Sequence, residues 1–190
     1  MLEIRFHGRG GQGTVIAAKI LAETVLRSGR GECMAIPEFG VERRGAPVVA
    51  YARISKEPIR LRTRIYEPDA VVLLDPTLLA GVDVTRGLKK GGLLLINAES
   101  LEPRKGWEQF KLRAVPAKRI ALGNGLGSPA SPIVNTAVCG ALCAELDLCE
   151  FEALESAIGE CVPVKIEANV KAAREAYEHC RNPEGAHAAS

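Results

Sequence analysis

The chain has 190 residues, a formal net charge of +2, 47% hydrophobic residues and 25% charged residues. That composition excludes a disordered or fibrous chain, and the length allows a core covering roughly 70% of the surface exposed on unfolding. So small a net charge gives no global electrostatic case for a nucleic-acid or membrane partner.

Leu2 to His7 alternates apolar and polar side chains and runs into glycine, as a strand entering a turn does. The glycines follow at once, in Gly8-Arg9-Gly10-Gly11-Gln12-Gly13. Val15, Ala18, Leu21, Ala22, Val25 and Leu26 then recur at helical spacing over Thr14 to Arg27, with Gly29 placed to cap the end. Cys33 to Ile36 reads as a short strand stopped by Pro37. Pro47 to Ile54 and Ile59 to Ile65 read as a hairpin across Ser55 to Pro58, with Arg60, Arg62 and Arg64 on a wet face that turns to solvent or to a partner.

Ala70 to Leu74 and Leu93 to Ile96 are unbroken apolar runs, the pattern of central parallel strands covered on both faces. Pro76 to Lys90 between them offers one or two short helices, and Lys111 to Val115 is a last strand. Helices are expected near Ala117 to Leu122, Ser131 to Leu146, Glu150 to Gly159 and Lys165 to Cys180. The order implies an α/β protein: one Rossmann-like open sheet, mostly parallel, with an inserted antiparallel hairpin and a helical C-terminal part. The expected organisation is a single domain over residues 1–182 and a flexible tail over 183–190.

No apolar stretch approaches the roughly 20 residues of a membrane span. The N-terminus carries charge on both sides of Ile4 and no apolar signal core, so a cytoplasmic location and reduced thiols are expected. The six cysteines, Cys33, Cys139, Cys143, Cys149, Cys161 and Cys180, include no Cys-x-x-Cys pair. Cys139 and Cys143 share a helix face among small apolar residues and read as core.

Gly8, Gly10 and Gly13 match the G-x-G-x-x-G spacing between a strand and a helix, the context in which the motif is informative. Glycine permits close backbone approach, and the unpaired N–H groups at a helix start attract an anion; the same glycines also serve as a bare structural turn that packs helix on strand and binds nothing. The dinucleotide fingerprint also needs an acid at the end of the second strand; Glu32 comes too early and Glu38 lies beyond Pro37. No Lys-Ser/Thr pair follows the glycines, which excludes a Walker-type loop. Arg9 and Gln12 sit within the loop, where they reach a ligand, a neighbouring chain or only water. A second loop, Ile36 to Val49, interleaves Glu38, Glu42, Arg43 and Arg44 with turn formers, and arginine forks suit carboxylates and phosphates.

"HGRGGQG" at 7–13, "PEFGVERRGAPVVAYARIS" at 37–55, "DPTLL" at 75–79 and "IEANVKAAREAYE" at 166–178 together resemble the gamma subunit of 2-oxoacid:ferredoxin oxidoreductases, over almost the whole chain. The resemblance implies a non-autonomous oxidoreductase subunit in a complex with alpha-, beta- and delta-type subunits. That complex turns a 2-oxo acid and CoA into acyl-CoA and carbon dioxide, and passes electrons to ferredoxin. It places thiamine diphosphate, magnesium and the iron–sulfur clusters on the partners; the thiamine-binding G-D-G motif and ferredoxin-like cysteine runs are absent here. No residue of this chain is then catalytic and none binds a metal. Its contribution is scaffold and interface, with Gly8, Arg9, Gly10, Gly11, Gln12, Gly13, Arg43 and Arg44 as the candidate CoA-binding residues, and Lys118 and Arg119 behind them. The arginine-bearing loop serves CoA, the packing of thiamine-binding chains, or both. The rival reading from the glycine loop alone is an autonomous NAD(P)-binding Rossmann oxidoreductase.

Overall fold

Strand β1 (Leu2–Arg9) alternates its side chains between two apolar layers, and this division organises the fold. The structure is a computed structural model and describes residues 1–38, 45–102 and 104–182. The remaining elements are α1 (Thr14–Arg27), β2 (Glu32–Pro37), β3 (Pro47–Ser55), β4 (Ala70–Leu73), β5 (Leu93–Asn97), β6 (Lys111–Val115), α2 (Ala117–Gly123), the two-residue strands β7 (Gly127–Ser128) and β8 (Ser131–Pro132), α3 (Asn135–Glu145), α4 (Phe151–Cys161) and α5 (Ile166–Arg181).

Six strands form one sheet in the order β2-β3-β1-β4-β5-β6. β1–β4, β4–β5 and β5–β6 run parallel, whereas β3 is antiparallel to both β1 and β2. On one face Ile4, Phe6, Ala70, Val72 and Leu95 pack beneath α1, α3 and α5 in the larger core. On the other, Val71, Leu73, Leu94 and Ile96 meet Leu78, Val84, Leu88 and Trp107. Both faces of β4 and β5 are therefore dry, which is why those strands show no polar alternation.

One expectation is corrected. The antiparallel hairpin is β2–β3, not 47–54 with 59–65. β3 has β1 on one edge and β2 on the other, so residues 59–65 find no free edge to pair with. Their carbonyls turn instead to Arg53, whose guanidinium is 2% exposed. It donates to Leu61 O at 3.1 Å, Thr63 O at 2.7 Å and Arg64 O at 3.4 Å, and through Nε to Glu3 Oε1 at 2.8 Å. One buried cation thus holds an irregular loop where a doubly wound sheet would carry a helix.

Over 76–90 the described residues hold one short helix, within the expectation: a 3-10 turn, Pro76–Ala80, capped by the Asp75 carboxylate on Thr77 N–H. Turns and Trp107 complete that layer. Helix α3 also starts later than the periodicity implies, because Ser131–Pro132 is taken up by pairing with Gly127–Ser128. Gly29 stands left-handed (φ 66°) at the end of α1, as expected.

The helical C-terminal part is as expected: α3 lies against α1 and α5, and α4 against α1. Phe151 and Tyr177 meet edge to face between α4 and α5, with ring centroids 5.5 Å apart. Cys139 and Cys143 are fully buried in this layer, and the Cys139 thiol donates to Ala17 O. No helix of the described residues is long and apolar enough to cross a membrane. The tail over 183–190 lies outside the described residues.

Candidate functional site

β1 and β4 are adjacent and parallel, but the chain leaves them in opposite directions: after β1 it forms α1 on one face, and after β4 it sends Leu78 into the core of the other. A crevice at the carboxyl ends of strands whose connections diverge is where open α/β sheets bind ligands. The glycine loop occupies one lip of this crevice and Asp75 to Thr77 the other.

Side chains tie the two lips together. Gln12 Oε1 accepts the Arg9 N–H at 2.8 Å while its Nε2 donates to Asp75 Oδ2 at 2.8 Å. Arg9 Nε lies 3.3 Å from the same carboxylate oxygen, its Nη2 donates to Thr77 Oγ1 at 2.9 Å, and its Nη1 donates to Gly45 O at 3.0 Å. The Thr77 hydroxyl donates in turn to Asp75 Oδ1 at 2.6 Å. Burial alone would raise the Asp75 carboxyl; the hydrogen bonds from Thr77 and Gln12, with the Arg9 guanidinium, outweigh it and hold the pKa below its ordinary value. Arg9 and Gln12 therefore brace the loop and are not free side chains.

With the loop braced, its amides remain available. Gly10 N–H is taken by Ala46 O and Gln12 N–H by Arg9 O. Among the described residues, the N–H groups of Gly11, Gly13, Thr14, Val15 and Ile16 meet no acceptor, and α1 has no side-chain cap. Gly13 opens the helix at φ 79°, and a Cβ there would lie 2.6 Å from Asn135 Nδ2. Gly8 sits so close to the buried, unpartnered Thr14 hydroxyl that a Cβ would approach it to 2.2 Å. Two hollows flank the loop. One of about 300 Å³ is lined by Arg9, Gly11, Thr14, Ile16, Ile133 and Asn135. The other, about 720 Å³, is lined by Gln12, Asp75, Asn97, Lys118, Leu122 and Pro129.

The structure brings Gly8, Arg9, Gly10, Gly11, Gln12 and Gly13 together as one loop. Arg43 and Arg44 lie outside the described residues. Lys118 and Arg119 both line the larger hollow, Arg119 paired there with Glu99 at 3.1 Å. Sequence reasoning missed Asp75, Thr77 and Asn97. The signal for the first two was present: Asp-Pro-Thr after a buried strand is a helix-start pattern. Asn97 joins β4 to α2 by donating to Leu74 O and accepting from Lys118 N–H, a link visible only in three dimensions.

The buried His7 accepts the Arg5 Nε–H at its Nε2, at 3.0 Å. The topology also disfavours a dinucleotide site. β2 runs parallel to β1 but with β3 between them, which sets the end of β2 about 10 Å from β1, twice the usual strand spacing. The Glu38 carboxylate beyond it is occupied by the Tyr51 hydroxyl at 2.5 Å and by Arg64 at 2.9 Å. Among the described residues no three His, Cys, Asp or Glu side chains are grouped to hold a metal.

A family model described as pyruvate ferredoxin/flavodoxin oxidoreductase matches residues 3–179. The chain belongs to this family. It is 51% identical over 184 residues to the common gamma subunit of the pyruvate/ketoisovalerate oxidoreductases of Pyrococcus abyssi, a match covering 94% of this chain and 96% of the relative. It is 47% identical over 183 residues to the pyruvate synthase subunit PorC of Methanothermobacter marburgensis, covering 96% of this chain and 99% of the relative. Among solved structures, the pyruvate oxidoreductase subunit PORC of Thermotoga maritima shares 35% identity with a TM-score of 0.75, covering 93% of this chain and 95% of that one. That solved relative thus shares this fold, and the glycine loop of this chain lies at the switch point of its sheet.

Proposed function

We propose that the chain is the gamma subunit of a thiamine diphosphate-dependent 2-oxoacid:ferredoxin oxidoreductase and that its glycine loop receives phosphate groups of CoA. The supporting observation is that the N–H groups of Gly11, Gly13, Thr14, Val15 and Ile16 meet no acceptor among the described residues, in a loop held by the Gln12–Asp75–Arg9 brace beside two hollows. Amides fixed in this way bind an anion without a reorganisation cost, and the helix dipole adds partial positive charge. Arg43 and Arg44 belong to the same proposal from sequence alone.

The reading leaves thiamine diphosphate, magnesium and the iron–sulfur clusters to alpha-, beta- and delta-type partners, with ferredoxin as the electron acceptor of the complex. When bound there, thiamine diphosphate supplies the carbanion chemistry that releases carbon dioxide from the 2-oxo acid. This chain's own residues bind and orient the acyl acceptor. The relative from Pyrococcus abyssi is named as common to a pyruvate and a ketoisovalerate enzyme, and a shared subunit does not select between their acyl groups. On this reading the substrate side chain is chosen elsewhere in the complex.

Ile16 is the third residue of α1, is 38% exposed and lines the smaller hollow. Ile16→Glu places a carboxylate where it suits the helix dipole yet repels a phosphate. In the assembled enzyme it is expected to raise the KM for CoA about tenfold, ~1.4 kcal/mol, with kcat at saturating CoA and thermal stability unchanged. An unaltered KM would remove the phosphate assignment.

A further inference from the structure

We infer that the outer face of the 59–66 loop is a docking surface for an acidic patch on another protein subunit of the same complex. The inference rests on the subunit reading above and concerns a different part of the molecule. Arg53 grips this loop from below through the carbonyls of Leu61, Thr63 and Arg64. Ile65 is buried beneath it, and the Tyr66 carbonyl packs so tightly on Gly87 that a Cβ there would come within 2.0 Å. An irregular segment anchored at so many points loses little further entropy on binding.

The outward side is unlike the anchored one. Leu61 is 53% exposed and Tyr66 72% exposed, although each could have supplied apolar area to the underlying layer. Arg60 and Arg62 are exposed and meet no carboxylate among the described residues. Several other surface arginines are paired, Arg27 with Glu23, Arg119 with Glu99 and Arg174 with Glu155, and Arg104 lies over the Trp107 ring. Arg86, beside Gly87, extends the cationic face, and Glu67 bounds it. Tyrosine and arginine around an exposed aliphatic residue is the composition that carries energy at protein interfaces, and guanidinium forks select carboxylates. Two apolar side chains are too few to seat a bilayer. The loop covers the start of β1, where Glu3 pairs with Arg53. That is about 20 Å along the strand from the glycine loop, so a partner docked here leaves the anion site open.

The test is co-expression with the sibling alpha-, beta- and delta-type chains, followed by native mass spectrometry and a salt titration of the isolated complex. The wild-type chain is expected to assemble; failure to do so would overturn the subunit reading itself. The double variant Arg60→Glu/Arg62→Glu is expected to weaken subunit association at least tenfold and to flatten its salt dependence. Leu61→Ala/Tyr66→Ala is expected to weaken it with the salt dependence retained. Lys171→Glu, on the exposed side of α5, serves as the charge control and should leave assembly intact. All the substituted side chains are exposed, so circular dichroism and the melting temperature of each full-length variant should match wild type. A wild-type complex whose affinity is indifferent to the Arg60/Arg62 reversal would overturn the inference. So would Arg60- and Arg62-dependent binding to phosphatidylserine vesicles without loss of assembly.

Discussion

Arg53→Met is expected to lower the unfolding free energy by about 3–5 kcal/mol, the cost of removing one partner from a buried ion pair. Methionine fills a similar volume and leaves the apolar contacts of β3 largely intact, so the loss isolates the polar role. Without the guanidinium, Glu3 keeps a carboxylate only 19% exposed, and the carbonyls of Leu61, Thr63 and Arg64 lose their donor beneath the loop. Lysine is no substitute, because a point charge cannot fan out to four acceptors at fixed angles. Arg60→Met in the same loop is the contrast: its side chain is exposed and its loss should fall within about 0.5 kcal/mol. Urea unfolding of the full chain followed by circular dichroism measures both. A cost below about 1 kcal/mol for Arg53→Met would show that the loop is held by something other than this cation.

The second large effect is a loss of stability in acid that originates at His7. Its imidazole is 7% exposed, and its pKa is pushed down from 6.5 to about 4, first by burial and then by the Arg5 guanidinium. Arg5 is itself buried and donates to Val84 O, to Arg86 O and to His7 Nε2, so it cannot turn away from a second positive charge. Between pH 6.5 and about 4 the unfolded chain therefore binds a proton at this position that the folded chain does not. Stability from this group is fully present above the upper value and falls as the pH drops through the window, by about 3 kcal/mol in all. His7→Gln keeps an acceptor for the Arg5 Nε–H and has no proton to gain. Urea unfolding at about pH 7 and about pH 4.5 should show the wild type losing more than the variant by most of that amount. Parallel losses in the two proteins would place the acid sensitivity elsewhere.

Much of this was legible in the residues because the relevant signals are local. The apolar runs at 70–74 and 93–96 could only be doubly covered strands, and the glycines after β1 could only be a tight strand-to-helix turn. What stayed hidden depended on partners far along the chain. Ile59 to Ile65 has a strand's alternation, yet pairing needs a free edge, and β2 and β1 had already taken both edges of β3. Arg53 reads as an ordinary polar position in β3 until Glu3 is placed opposite it. In the same way Arg9 and Gln12 read as side chains open to a ligand, a neighbouring chain or water, because nothing in their own segment announces Asp75, more than sixty residues on. The structure thus apportions the loop differently from the sequence: the side chains brace it, and the proposed binding role passes to the amides.

The central claim is that these amides receive a CoA phosphate within an assembled multi-subunit enzyme. A cryo-electron microscopy structure of that complex with CoA bound tests it most directly. The account predicts a phosphate oxygen within about 3.2 Å of the N–H groups between Gly11 and Ile16, with the Gln12–Asp75 hydrogen bond intact. A CoA diphosphate held wholly by other chains, with the glycine loop sealed beneath a partner's side chains, would contradict it.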